Sequence, residues 1–279
     1  MSRQVRILLL LLPSAILLGI FAFGLIQLIW ASVVIDGSLD FSLYEAFWRR
    51  SDYIAMLVRT LAISALTTVC CLLVGFPTAY LIARTRMNRN LLLTLVIFPW
   101  LVSIVVRSYG WMVVLGPKGL VNWSLEAVGL IDAPVKLMYN TFGVVLGLSH
   151  VLCPFMIIAI LSVLMQIPRS LEEAGSSLGS RPFYVFRNIL VPLSMPGILT
   201  GVTLVYLMAT GAIVTPLMLG GLGDSMLGTE IFQEVMHFFD YPKAAALATV
   251  LLFTALIVVL PLQWYERRIS KRHAAGVSR

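Results

Sequence analysis

From Ile7 to Ile35 the chain carries no Asp, Glu, Lys or Arg, and further stretches of the same kind run from Thr60 to Ala83, Leu137 to Pro168 and Ala244 to Tyr265. About 20 such residues cross the hydrocarbon core of a bilayer, where each backbone N–H and C=O must find its partner inside the segment. That requirement leaves helices. Two more runs complete the set, Asn90 to Leu115, interrupted only by Arg107, and Asn188 to Gly223. The composition agrees: 59% of residues are hydrophobic and 12% charged, with mean hydropathy +0.96, against about 25% charged in a soluble domain. The expected fold is all-α, a polytopic membrane protein with six transmembrane helices. It forms one domain over residues 1–279 with a core at 54–266 and has no separate soluble part.

The first run follows Arg3 and Arg6 and is much longer than the apolar part of a signal peptide. With no convincing small-x-small site to close it, it reads as an uncleaved span. Asp36 to Arg59, with Tyr44, Phe47 and Trp48, reads as an outer connection containing a short interfacial helix. Gly116 to Asn140, with an amphipathic piece at Trp123 to Leu130, and Asp224 to Lys243 are the other outer loops.

Assigned to sides, this map places thirteen basic and three acidic residues within and seven basic and ten acidic residues outside or in the spans, in keeping with the net charge of +7. The bias puts both termini in the cytoplasm. A pI near 9.6 would suggest nucleic acid for a soluble protein; here the basic residues sit in short loops and tails, so no nucleic acid is expected.

The polar passage Leu171 to Pro192, LEEAGSSLGSRPFYVFRNILVP, lies between two spans on the positive side. Ser170 with Glu173 three residues on has capping-box spacing, and Glu172 and Glu173 suit the positive end of a helix. Gly179 can end that helix in a left-handed conformation, and Pro182 can begin a second. The result is helix, elbow, helix. The second piece carries a mostly apolar stripe, Phe183, Tyr184, Phe186, Ile189 and Leu190, of the kind that lies in a partner's groove.

Within the spans, Arg107 is either a pathway residue or a side chain snorkelling from the outer boundary. Gly143 with Gly147, and Gly197 with Gly201, have the spacing that lets helices approach closely in lipid. Pro154, Pro196 and Pro216 break backbone bonds, which points to spans three to five as cavity walls. His150 reads as a hydrogen-bonded bundle residue, since its neighbour Ser149 faces elsewhere on a helix. Cys70, Cys71 and Cys153 lie in spans and suggest neither a disulfide nor a metal site. With no phosphate-binding G-x-x-x-x-G-K-[ST] motif and no H-E-x-x-H, the chain is expected to hold no catalytic residue, metal or cofactor.

The series Glu173, Ala174, Gly175, three residues, Gly179, nine residues, Ile189 and Pro192 resembles the Glu-Ala-Ala loop of the membrane subunits of binding-protein-dependent ABC importers. Gly175 stands for the second alanine and Val191 for a leucine. Arg59-Thr60-Leu61, Phe98-Pro99-Trp100, Arg107-Ser108-Tyr109-Gly110-Trp111, Gly119-Leu120-Val121-Asn122, Thr215-Pro216 and Gly220-Gly221 are similar to the spermidine/putrescine-type permease subunits. The resemblance implies a type I importer permease fold in a bacterial inner membrane, with a coupling loop at 168–192. Its expected coupling residues are Glu172, Glu173, Ala174, Gly175, Gly179, Phe183, Phe186, Ile189 and Pro192. From their placement in the spans, the residues expected along the translocation pathway are Trp100, Arg107, Tyr109, Trp111, Tyr206 and Thr215. The implied partners are a second, homologous permease subunit in a heterodimer, two ATPase subunits carrying ATP and magnesium, an extracytoplasmic solute-binding protein, and lipid. A polyamine is the first expected solute and an opine or amino-acid derivative the second. The alternative class, an ion-coupled secondary transporter, calls for inverted repeats and intramembrane carboxylates, and neither is evident.

The charge map is testable. In a variant lacking the three cysteines, a cysteine at Glu126 is expected to react with an impermeant thiol reagent added outside, and one at Ser180 is not; the reverse pattern overturns the orientation.

Overall fold

A computed structural model describes residues 3–35, 37–85 and 87–277 of the chain. Asp36, Arg86 and Arg279, and the side chains of Arg3, Arg6, Lys271 and Arg272, all used in the map above, lie outside the described part. Two compact units divide the chain, residues 1–55 with 230–253 and residues 56–229 with 254–279.

In the first unit, helix α1 (Arg3–Val33) leads into a small antiparallel hairpin, β1 (Val34–Ile35) and β2 (Ser38–Leu39), pairing Val34 with Leu39 and turning at Gly37, φ +78°. The interfacial helix expected after it is α2 (Ser42–Arg49), whose Phe47 is buried and stacks on Tyr53 with ring centroids 5.8 Å apart. Tyr44 and Ser32 share a 2.6 Å hydrogen bond that ties α2 to α1. Helix α3 (Ser51–Arg84) starts at Ser51 rather than Thr60, because Asp52 suits its first turn and the helix extends through polar residues before the apolar run.

In the second unit, the run Asn90 to Leu115 is not one straight helix. It forms α4 (Arg89–Leu101) and α5 (Ile104–Leu115), and the helical segments Arg89–Leu101 and Ile104–Ala127 are bent by 91°. Pro99 withdraws the N–H that would have reached the carbonyl of Leu95, and Val102 and Ser103 follow in extended conformation, ψ 139° and 137°. Helix α6 (Leu120–Ala127) is the amphipathic piece, beginning three residues before Trp123. Helix α7 (Thr141–Leu164) is apolar around its whole circumference and is correspondingly buried.

After α7 come α8 (Ser170–Ser177), α9 (Pro182–Val185), a π turn at Phe186–Leu190 and α10 (Val191–Thr210). The fifth run breaks a second time. Pro216 cannot bond back to Ala212, so Gly211 to Ile213 leave the helix and α11 (Val214–Leu219) starts anew. Helices α12 (Leu227–Gln233) and α13 (Tyr241–Val277) complete the order. Among the described residues, five helical stretches are long and apolar enough to cross a membrane, and six if the bent pair Arg89–Leu101 and Ile104–Ala127 is one span.

The core of this unit is built on α7. One cluster packs Met156, Ile160 and Leu164 of α7 against Ala79 and Ile82 of α3 and Val205 and Ala209 of α10. A second packs Val144 and Leu148 with Ile63, Leu115 and Leu219. The small-residue spacings mark the contacts. A Cβ on Gly197 would stand 2.8 Å from the Ala159 carbonyl oxygen, and one on Gly147 would stand 2.5 Å from Leu219 Cδ1.

The obstacle at Gly197 is backbone and cannot swing aside. Gly197→Ala is therefore expected to destabilise the bundle by about 1–3 kcal/mol, whereas Gly19→Ala, with nothing within 4 Å of its new Cβ, is expected to leave stability unchanged or slightly raised. Thermal unfolding in detergent, followed by tryptophan fluorescence, checks this; equal melting temperatures for the two variants refute the packing account.

Candidate functional site

The passage 168–192 folds as helix, elbow, helix. Its first helix ends in a Schellman arrangement: Ser180 N–H donates to Gly175 O at 3.2 Å and Gly179 N–H to Ser176 O at 3.0 Å, with Gly179 at φ +79°. Pro182 takes the first position of α9. The start of α8 differs from the capping-box expectation. Arg169 occupies the N-cap position in a helical conformation, no side chain caps the turn, and Ser170 is already inside the helix.

The two acids of the first turn have separate fates. The Glu173 side chain is exposed and makes no hydrogen bond or ion pair among the described residues, though its backbone N–H donates to Arg169 O at 3.1 Å. Glu172 turns inward, accepts from Tyr80 OH at 2.9 Å and pairs with Arg84 at 2.6 Å, the two charged side chains being 19% and 14% exposed. Arg84 also donates to Ile167 O at 3.1 Å, and Arg169 donates to Arg84 O. Sequence reasoning missed this anchor, taking Arg84 only as a marker of orientation. The signal available was an arginine closing α3 and a glutamate opening α8, each suited to its helix end.

Gly175 is buried, and a Cβ there would meet Val185 Cγ2 at 3.0 Å and Ile189 Cδ1 at 3.3 Å. The glycine therefore lets α8 lie close on the turn that follows it. Ala174 is exposed. The apolar stripe is split: Phe186 stacks edge-on against Phe76 and Leu190 is buried, while Phe183 and Tyr184 are exposed. Leu178, 86% exposed beside the elbow, adds to that outward apolar face. Pro192 sits in the first turn of α10, where its missing N–H costs little.

Of the expected pathway residues, Trp111 and Thr215 come into one neighbourhood. Trp111 Nε1 donates to His150 Nδ1 at 3.2 Å, and Ser108 and Thr215 hydroxyls lie 3.4 Å apart, joining α5, α7 and α11. Arg107 Nε and Nη1 are buried without a partner among the described residues. Trp100 packs edge-on against Phe155, and both Trp100 and Tyr109 are exposed. Tyr206 is buried in the protein.

A cavity of about 720 Å³ is walled by α3 and α7 with Trp111 of α5, and Cys70, Cys71, Cys153, Ser149 and His150 face it. The walls are thus spans two, three and four; span five contributes nothing, since α10 lies directly on α7 at Gly197. In the first unit, Glu234 is buried and paired with Lys243, so it is not free to meet a solute. Burial, and then the neighbouring Glu234 charge, push the Glu230 carboxyl above its ordinary range. Among the described residues no three His, Cys, Asp or Glu side chains gather as a metal site.

A bundle of apolar helices, two of them broken, with a capped polar elbow on one side, fits the membrane subunit of a transporter. The chain belongs to the family of binding-protein-dependent transport system inner membrane components, which matches residues 5–272. It is 31% identical over 227 residues to the spermidine/putrescine transport system permease protein PotB of Salmonella typhimurium, covering 81% of this chain and 79% of that one. With PotB of Haemophilus influenzae the identity is 33% over 215 residues, 77% and 74% of the two chains. Its fold matches a chain of a crystal structure of a bacterial ABC transporter importing the polysaccharide alginate, with TM-score 0.76, 22% identity and 96% of each chain covered. The architecture is that of a type I ABC importer permease, and the protein is a membrane-spanning permease subunit of such an importer.

At φ +79° Gly179 holds a conformation that costs a β-branched residue about 1–3 kcal/mol. Gly179→Val is expected to lose both capture of the ATPase in a pull-down and solute-stimulated ATP hydrolysis in liposomes, whereas Ser177→Ala, on an exposed position, keeps both. Normal coupling in Gly179→Val removes the elbow from the mechanism.

Proposed function

We propose that this permease carries a polyamine such as spermidine or putrescine inward across a bacterial inner membrane, with both termini in the cytoplasm. ATP and magnesium bind two partner ATPase subunits and not this chain. A second, homologous permease chain completes the pathway as a heterodimer, and an extracytoplasmic binding protein delivers the solute. The observation that carries the reading is the identity to PotB over four-fifths of the chain, together with an elbow that presents Glu173, Leu178, Phe183 and Tyr184 outward. Those side chains form a polar and apolar surface for the ATPase to grip, with Glu172, Ala174, Gly175, Gly179, Phe186, Ile189 and Pro192 holding it in shape.

Arg107, Tyr109 and Trp111 line the outer mouth of the pathway in this reading, with Trp100 and Thr215 further along and Tyr206 supporting the wall from within. Aromatic faces suit a multivalent cation. One observation favours a second solute class: the unpartnered Arg107 N–H groups fit a carboxylate oxygen, which an opine or amino-acid derivative carries and a polyamine does not.

Calorimetry of the cognate binding protein separates the two. Tight binding of spermidine or putrescine is the expected result. Binding of an opine with no response to polyamines selects the second class, and binding only of an anion or metal ion removes both while leaving the permease role in place.

A further inference from the structure

Resting on the permease reading, we infer that the cluster of Glu172, Arg84, Tyr80 and Arg169 is the joint through which movement of the elbow reaches α3. Helix α8 is tied covalently to α7 through the residues after Leu164 and to α10 through the elbow and the π turn. Helix α3 has no such tie, because Arg84 and Glu172 lie far apart in sequence. What binds the two is the cluster, in which three independent links converge: the Glu172 ion pair with Arg84 at 2.6 Å, the Tyr80 hydroxyl on Glu172 at 2.9 Å, and a crossed pair of arginine contacts to the Ile167 and Arg84 carbonyls.

The chemistry suits a stiff link. The negative end of α3 meets the positive end of α8, and each carries the charge that its helix end favours. Arg84 Nη2 meets two acceptors at once, the Glu172 carboxylate as a 2.6 Å ion pair and the Ile167 carbonyl at 3.1 Å. Both charged side chains are largely withdrawn from water, so the pair is weakly screened.

The consequence lies in the cavity between α3 and α7. With the joint intact its two walls move together when the ATPases close on the elbow; with the joint cut, α7 and α10 follow the elbow and α3 stays behind. Tyr80, Arg84 and Arg169 are thus positioning residues, and Glu172 belongs to this joint rather than to the surface offered to the ATPase.

The test uses the assembled importer in a background lacking the three native cysteines, with spin labels at Leu81→Cys and Ser177→Cys, both exposed positions. In the parent, one narrow label distance is expected in the nucleotide-free state and the same distance after trapping with ATP and vanadate. In Arg84→Gln and Glu172→Gln the trapped state is expected to show a shifted or broadened distance, and spermidine transported per ATP hydrolysed is expected to fall about tenfold, the scale of a typical coupling between sites. Arg84→Lys should recover part of both. ATPase capture in a pull-down, which a general loss of folding would abolish, should stay normal. If the charge variants do not accumulate, Tyr80→Phe carries the same measurement, with a broadened trapped distance expected. The proposal is overturned if the parent distance changes on trapping, or if the variants keep one distance in both states with a parental transport ratio. A parent that neither captures the ATPase nor hydrolyses ATP fails the permease reading instead, and a parent that hydrolyses ATP without moving spermidine fails only the polyamine assignment, because the label distances need no solute.

Discussion

Everything in the second unit depends on how closely α10 and α3 can approach α7. Lipid tails are as apolar as leucine, so burial alone gives helices little reason to associate in a bilayer, and tight van der Waals contact has to hold them. Gly197 and Gly201 on α10 and Gly75 on α3 provide it. Met156 lies between Gly75 and Gly201, where added Cβ atoms would come within 2.9 Å of its Cγ and 2.7 Å of its Sδ. The side chain is wholly buried, and its flexible thioether can fill a gap of that irregular shape. Helix α7 is therefore a post held on two sides, and being apolar all round suits it both to these neighbours and to lipid.

A well-held post makes the two broken spans tolerable. Breaking a helix inside a membrane leaves N–H and C=O groups that hydrocarbon cannot satisfy. The α5 and α11 segments beyond the breaks pack together, with Ser108 and Thr215, both buried, facing each other, while Ser103 at the first break and Gly211 at the second are exposed on this chain. Helix α11 then seats Leu219 and Thr215 against Gly147 of α7. The same post thus anchors the irregular backbone at its N-terminal end and carries the elbow beyond its C-terminal end.

The parts legible in the sequence were those set by local rules. Uncharged runs located the helices, Gly179 announced a left-handed cap, Pro182 a helix start, and the paired glycines the close contacts. Tertiary context decided the rest. Nothing within Asn90 to Leu115 distinguishes a straight helix from one bent at Val102 and Ser103, since Pro99 alone is compatible with either. The capping box at Ser170 had the right spacing, yet Arg169 is drawn into helical conformation and its side chain spent on the Arg84 carbonyl. The apolar stripe after Pro182 was read as one face, but the π turn at Phe186–Leu190 rotates Phe186 and Leu190 into the core and leaves Phe183 and Tyr184 outside. The Arg84–Glu172 pair joins residues too far apart for any spacing rule to connect.

These features give the unit a mechanical division. Covalent continuity links the elbow to α7 and α10, and ionic contact links it to α3, so the two kinds of connection differ in what can cut them. Helices α7 and α10 are also packed directly on each other at Gly197 and Gly201. The face between α3 and α7 has no covalent link at the elbow, so there the Arg84–Glu172 pair and the Tyr80 hydroxyl hold it together. That face carries the polar side chains Ser149, His150 and the three cysteines amid apolar neighbours, and the Ser149 hydroxyl is buried without a partner among the described residues. A buried hydroxyl left unpaired costs about 1–3 kcal/mol, so this face is less well satisfied than the glycine contacts between α7 and α10, and the polar joint at its elbow end matters correspondingly more.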